Sequence, residues 1–390
     1  MLRNLPNLSV PLAKLFQQSI NTGVVPQDLR DAHVIPLHKK GSRTKCNNYR
    51  PVSLTSQVCK LMERIVLDDL WQHVKENNII HCNQHGFQKN CSCITQLIEC
   101  LNDWIADYDK GLQTDIIYLD FCKAFDTVPH KRLLHKLKVL GIRGKVWKWL
   151  ESFLNNRRQR VVLRNGLSNW KHVISGVPQG SILGPILFLL FINDLPNKVH
   201  SVAKLFADDS KVYCTVRDDK DCKLLQEDLN SLSAWSKQWL MKFNEDKCVV
   251  LKIRASLDYI YTLNGTRLEE VQEQRDLGVI INNKLTPSSH IKNITSKASQ
   301  RLFMIKRCFT GLTEAKLSTL YSSIIRPVLE YASIIWNPWL RKDISAIYSV
   351  QRKCEELCTE RIRFESLSVR RHRMDLIETC LLYTSDAADE

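Results

Sequence analysis

The chain has 390 residues, 44% of them hydrophobic, which is enough to bury more than one core and excludes a low-complexity or disordered chain. Its 56 basic against 41 acidic residues leave a net charge of +15 and a pI near 9.2, a balance that favours a polyanionic partner. Fourteen scattered cysteines with no evident signal peptide point to a reducing compartment, and the longest apolar run, residues 182–192, falls short of the ~18 residues that span a bilayer. In chain order, the first 113 residues read as helical segments around a basic loop at 39–50. Residues 116–119 are apolar and rich in β-branched and aromatic side chains, which predicts a buried strand giving way to a turn at Asp120. A helix carrying Leu133, Leu134, Leu137 and Leu140 stops at Gly141, a second covers 147–154, and 160–164 reads as a strand entering a turn at Asn165-Gly166. Residues 204–213 predict a tight hairpin, and Leu224, Leu225, Leu229, Leu232 and Trp235 make a helical stripe that covers a sheet. Beyond about residue 283 the strand signal fades, and 290–308, 314–331 and 343–357 predict helices. Residues 384–390 read as an extraneous tail, set aside from fold reasoning together with 381–383.

Phe206-Ala207-Asp208-Asp209 puts two carboxylates at the tip of that hairpin. Like charges so close repel unless a cation neutralises them, and a divalent metal is the expected remedy. Successive strand side chains point to opposite faces, so one acid leads; Asp208 is the expected one, with Asp209 in a weaker role. Folding the hairpin beside the upstream strand brings Asp120 near Asp208 and supplies hard oxygens suited to Mg²⁺. Two such ions about 3.5–4 Å apart clamp the attacking and leaving oxygens of an in-line phosphoryl displacement. Between the acids lies Gly176-Val177-Pro178-Gln179-Gly180-Ser181-Ile182-Leu183-Gly184-Pro185, whose glycines let the backbone approach a flat or extended ligand and whose proline suits the first turn of a helix. Cys82, His85, Cys91 and Cys93 come nearest to a zinc pattern, but their spacing matches no usual finger; the cysteines read as small buried hydrophobes, and Cys354 and Cys358 as packing residues.

Taken in order, these three segments resemble motifs A, B and C of the reverse transcriptases of non-LTR (LINE-type) retrotransposons. The resemblance runs from about residue 15 to about residue 363. Ala32-His33-Val34-Ile35-Pro36-Leu37-His38-Lys39-Lys40-Gly41 and Asn48-Tyr49-Arg50-Pro51-Val52-Ser53-Leu54 look like the family's finger motifs, followed by Gln84-His85-Gly86-Phe87. Trp239-Leu240, Phe243-Asn244 and Lys247 resemble motif D, Asp276-Leu277-Gly278-Val279 the primer grip, and residues 325–331 with Trp336 and Gln351-Arg352 the thumb. The resemblance implies an α+β right-hand polymerase with an antiparallel palm sheet packed on helices, mostly helical fingers and an all-helical thumb. Fingers are expected at 1–113, palm at 114–256, primer grip at 257–283 and thumb at 284–380.

The same resemblance implies roles. Asp120, Asp208 and Asp209 bind two Mg²⁺ ions so that a primer 3′-hydroxyl attacks the α-phosphate of a dNTP on an RNA template, while Asp126 reads as a salt-bridged surface acid. Phe125 matches the family's steric gate against a ribose 2′-hydroxyl. Lys39, Lys40 and Arg50 cover the triphosphate, the choice between the two lysines staying open, and Gln179 with Gly180 supports nucleotide or template. Lys247 is a proton donor to pyrophosphate, Leu277 and Gly278 hold the DNA primer, and Lys292, Lys297, Arg301 and Lys306 contact phosphates. An upstream endonuclease and Cys/His-rich modules have no counterpart here, so a copy trimmed to fingers, palm and thumb is expected. The rival reading is a catalytically silent remnant that only binds nucleic acid. A mobile-intron maturase is disfavoured by the stretch around Tyr331 and Trp336. A nuclear location follows from the family alone, a cytoplasmic one stays open, and no membrane partner is expected.

Overall fold

In the computed structural model, which describes residues 6–164, 166–357 and 363–386, strands β1 (Ala32–His38) and β2 (Tyr49–Leu54) flank the basic loop and β3 (Gln113–Leu119) leads to Asp120. β4 (Arg158–Leu163), β5 (Gly166–Leu167) and β6 (Lys171–His172) follow, then β7 (Val202–Phe206) and β8 (Asp209–Val216), which form the acidic hairpin. β9 (Val249–Ile253), the small pair β10 (Thr262–Leu263) and β11 (Thr266–Arg267), β12 (Glu269–Val271), β13 (Glu273–Asp276) and β14 (Val279–Asn282) complete the series.

A five-stranded sheet in the order β12-β9-β3-β8-β7 organises the molecule. Its centre, β3, is buried at all seven residues, so its sequence reads as a continuous run rather than an alternation. The period of two is nevertheless real: Ile117 and Leu119 enter one core, Ile116 and Tyr118 the other. The first core is closed by the helix Gly184–Ile192, which is apolar on every side and therefore buried, and by Leu225, Leu229, Leu232 and Trp235 of the helix Asp219–Trp239. The second is closed by the helix Cys93–Asp109 and by the C-terminal helices. Ser92 starts the former with a reciprocal cap, its hydroxyl accepting from the N–H groups of Ile94 and Thr95 while Thr95 answers the N–H of Ser92.

The structure adds to or departs from the sequence reading at four points. The central sheet is not wholly antiparallel, because β12 runs parallel to β9 after the chain crosses over through the β10–β11 pair. The N-terminal region is mostly helical as expected, but its basic loop joins two strands, β1 pairing antiparallel with β2 and parallel with β4 in a second sheet. Pro36 and Pro51 hid this pairing; they sit directly opposite each other, three positions in from the Lys39 N–H to Asn48 carbonyl bond, at a pair that exchanges no ladder hydrogen bond. That pairing also ties residues 158–172, expected within the palm stretch, to the N-terminal sheet. Leu224 leaves the helical stripe and faces solvent, one position off the buried row.

Past residue 284 the described residues hold helices and turns but no strand, with Ser288–Cys308, Arg341–Glu355 and shorter helices packed into the second core. A last helix, Leu367–Asp386, runs past residue 381. Asn165, Cys358 and residues 387–390 lie outside the described residues. No described helix is long and apolar enough to cross a membrane.

Candidate active site

Asp120 directly follows β3, whose register with β8 pairs Leu119 with Ser210 and therefore carries Asp120 opposite Asp209. Phe206 pairs with Asp209 across the hairpin, leaving Ala207 and Asp208 as its turn, with Ala207 at φ +55°. Three carboxylates thus meet at one end of the sheet. Desolvation raises the Asp208 carboxyl, the Asp120 charge adds to it, and the cations Arg50 and Lys39 pull against it. The Asp209 side chain reaches solvent yet lines a cleft; desolvation first, then Asp208, Asp276 and Asp120, push its carboxyl up to about 6. The cleft, of about 180 Å³, is lined by Asp120 and Asp209 together with Lys247 and residues 274–277. Asp209 therefore shares the cleft with Asp120, and Asp208 faces the cations of the N-terminal sheet.

Hard, mutually repelling oxygens are the donor set that Mg²⁺ takes, so these residues fit a divalent ion in kind. Among the described residues no three potential ligands converge tightly enough to cage one as they stand. Asp120 instead accepts a 2.8 Å hydrogen bond from Lys247 Nζ.

The glycine-rich loop lies against the turn after β3. The Gly176 N–H donates to the Val128 carbonyl and the Val177 N–H to the Phe125 carbonyl, both at 2.8 Å. Gln179 presents its carbonyl to the Ser53 N–H of β2 at 2.8 Å, so the loop bridges to the N-terminal sheet. Gly180, at φ +115°, has no room for a side chain: a Cβ would fall 2.3 Å from the Ser53 carbonyl oxygen. The Gln179 amide donates to Asp126 at 3.2 Å. Asp126 is thus half-buried and hydrogen-bonded rather than a salt-bridged surface acid; burial raises its carboxyl against Lys123, Lys39 and Arg50. Lys39 shares the field of Asp126 and Asp208 with Arg50, whereas Lys40 is exposed in the turn beyond. Phe125 stacks on Phe188 at 4.4 Å and meets Phe87 edge-on at 6.4 Å.

Leu277 and Gly278 make the β13–β14 turn, both with positive φ, and Leu277 lines the cleft beside the acids. The Tyr331 hydroxyl donates to the Leu277 carbonyl at 2.8 Å. On the helix Ser288–Cys308, Lys292 and Lys306 are exposed, Lys297 lies in the field of Arg275 and Arg301, and Arg301 also donates to the Ile324 carbonyl.

Several contributors had no separate place in the sequence reading. Gln84 Oε1 accepts from the N–H groups of Ala207 and Gly86, and residues 83–85 zip onto Leu205, so this segment braces the acidic hairpin from its outer edge. Buried Glu63 accepts from the N–H groups of Ile182 and Leu183, fixing the entry to the helix Gly184–Ile192. Asp276 is buried with Lys211 and Tyr118. A lysine in the middle of a hairpin strand, directly before Val212 and Tyr213, was the available signal for that cluster. His85 bonds Glu99 at 3.0 Å, and it gathers with Cys82, Cys91 and Cys93 in no common site among the described residues.

The sequence model of the family described as reverse transcriptase (RNA-dependent DNA polymerase) matches residues 37–281. The chain belongs to the reverse transcriptase family. This reverse transcriptase chain is 28% identical over 367 residues to the probable RNA-directed DNA polymerase from transposon BS of Drosophila melanogaster, covering 90% of this chain and 40% of that protein. It is 28% identical over 370 residues to the RNA-directed DNA polymerase from mobile element jockey of the same species, with the same coverage. The homology is thus to the reverse transcriptases of non-LTR retrotransposons, and the chain spans about two-fifths of the length of these relatives. Among solved structures it is similar to apo telomerase from Candida tropicalis, with a TM-score of 0.49 and 12% identity over 70% of this chain and 58% of that one.

Proposed function

We propose that the chain extends a DNA primer on an RNA template with dNTPs, as the polymerising part of a non-LTR retrotransposon protein. The observation that carries this reading is the meeting of Asp120 with Asp208 and Asp209 at one end of the sheet, where the Asp120 charge raises the carboxyls of both hairpin acids. Bound there, two Mg²⁺ ions would supply charge neutralisation for both oxygens of the displacement. Asp120, Asp208 and Asp209 would hold them.

The chain's own residues do the rest. Lys39 and Arg50 offset the triphosphate charge from the N-terminal sheet, and Gly180 lets the loop backbone approach the nucleotide against β2. Phe125, braced by Phe188, occupies the space of a ribose 2′-hydroxyl. Leu277 and Gly278 hold the primer backbone, and Lys247 gives a proton to the departing pyrophosphate. Residues 1–113 with the β4–β6 excursion then act as fingers, the rest of 114–256 as palm, 257–283 as primer grip and 284–380 as thumb.

The Lys247–Asp120 pair favours a second reading, nucleic-acid binding without turnover, since it holds the first acid on a cation of the chain. Primer extension on poly(rA)/oligo(dT) with Mg²⁺, at low and moderate salt, separates the two. Incorporation supports the enzyme. Salt-sensitive retention without incorporation supports the silent binder.

A further inference from the structure

The β13–β14 hairpin, which carries the Leu277-Gly278 turn, is a two-stranded sheet of its own rather than part of the five-stranded one. Its second strand is anchored: Val279 and Ile281 of β14 enter the second core, and at the root the Arg254 N–H reaches the Asn283 carbonyl at 3.4 Å. On the first strand, opposite Val279 and beside the turn, Asp276 supplies a further restraint. The residue ends β13 immediately before the turn and is 5% exposed. Its Oδ2 accepts from Lys211 Nζ and, at 3.2 Å, from the Tyr118 hydroxyl.

The donors are the informative part. Tyr118 and Lys211 face each other across β3 and β8, each two residues from an acid: Tyr118 from Asp120, Lys211 from Asp209. Side chains two apart on a strand share a face, so one carboxylate is bonded to both acid-bearing strands on the face of the sheet that carries those acids. Stability does not require such a pair, because a buried ion pair replaced by apolar side chains of similar volume is often neutral or stabilising. Fixed geometry is what it adds.

We propose that Asp276, acting through Lys211 and Tyr118, is a positioning residue that sets the separation between the Leu277-Gly278 turn and the acids Asp120 and Asp209. This rests on the polymerase reading only for its consequence, delivery of the primer end in register with the acids. The restraint itself is a property of the fold. Tyr331, which bonds the Leu277 carbonyl, holds the turn from the opposite side, so the tip is clamped between the sheet and the C-terminal helices.

The test uses the double variant Lys211→Met/Asp276→Leu, which leaves no unpaired buried charge, beside the single Asp276→Asn, which leaves Lys211 with a weaker partner. Hydrogen exchange of the amides of residues 273–282 should quicken by about tenfold in the double variant while β3 and β8 stay protected and the melting temperature holds. In primer extension its kcat should fall by about tenfold or more and its KM for primer–template rise, with KM for dNTP within about twofold of the parent. A part that only stabilised the fold would move the melting temperature and leave that split absent. Unchanged exchange at the turn overturns the proposal whether or not the parent extends a primer, and so does parental kcat in a double variant whose turn has loosened. A parent that shows no extension overturns the polymerase reading instead, and the exchange result then decides the restraint alone.

Discussion

Lys247 Nζ lies 2.8 Å from Asp120 Oδ2, with the two side chains 59% and 38% exposed. An ion pair this open is worth about 0.2–1 kcal/mol, so it contributes little to stability. Its consequence is competition, since the ammonium occupies an oxygen that a divalent ion needs. In Lys247→Met the Mg²⁺ midpoint for binding, followed by calorimetry, should shift to lower concentration. The extension rate should fall by about a hundredfold, as expected for loss of a proton donor. A variant that keeps the parental rate removes Lys247 from the chemistry.

Asp209 is held up to about 6 by desolvation and by its acidic neighbours, against an ordinary value of 3.8. Its ionisation therefore opposes folding: the stability present below pH 3.8 is lost as pH rises through about 6. Asp209→Asn should accordingly melt above the parent at pH 8, the gap closing toward pH 4, as read by differential scanning fluorimetry. Asp120→Asn and Asp208→Asn should abolish incorporation with the fold intact, and persistence of incorporation in either would unseat the metal assignment.

The Phe125 ring is fixed by Phe188 on one side and Phe87 on another. Truncation in Phe125→Ala should raise incorporation of ribonucleotides relative to deoxyribonucleotides by about tenfold or more, measured by competition in single-nucleotide extension. Unchanged sugar preference would make the ring a packing residue.

Two glycines stand where a side chain cannot. A Cβ at Gly86 would fall 2.3 Å from the Ala207 nitrogen, in the turn that carries Asp208. Gly86→Ala should therefore displace the acidic hairpin and eliminate activity, with a loss of about 2 kcal/mol or more in urea unfolding. Gly180→Ala should push the loop off β2 and raise the KM for dNTP, because its clash is with the Ser53 carbonyl. Parental behaviour of both would mean that the backbone yields at these points.

His290 is 1% exposed, accepts the Ile280 N–H at 3.1 Å and packs 5.3 Å from the Trp336 ring. Burial first, then the charges of Lys297 and Arg275, hold its pKa down to about 4 from 6.5. The unfolded chain thus binds a proton that the folded one refuses. Stability present above pH 6.5 is lost as pH falls toward 4, by on the order of 3 kcal/mol. Urea unfolding at pH 7, 5.5 and 4.5 should show this slope in the parent and a shallower one in His290→Phe; equal slopes would clear His290 of the effect.

Much of the site was legible locally. The continuous apolar run before Asp120, the adjacent acids at a hairpin tip and the glycines around Gln179 each follow from short-range rules of burial, repulsion and backbone freedom, and those rules operate within a few residues. Pro36 and Pro51 concealed a strand pair for the same reason: proline weakens the local strand signal, and only the opposing strand shows why it is tolerated.

By itself, the sequence determined the chemical inventory of this protein: which carboxylates, cations and glycines are present, in what order, and on which kind of element. Only the tertiary structure decided who meets whom. It placed Asp209 rather than Asp208 in the cleft with Asp120, closed Lys247 onto that acid, and joined Tyr118 to Asp276 across 158 residues of chain. Such contacts depend on strand register and on the packing of two cores, which arise from the whole chain acting together, so even a local signal such as Lys211 within its strand does not name its partner.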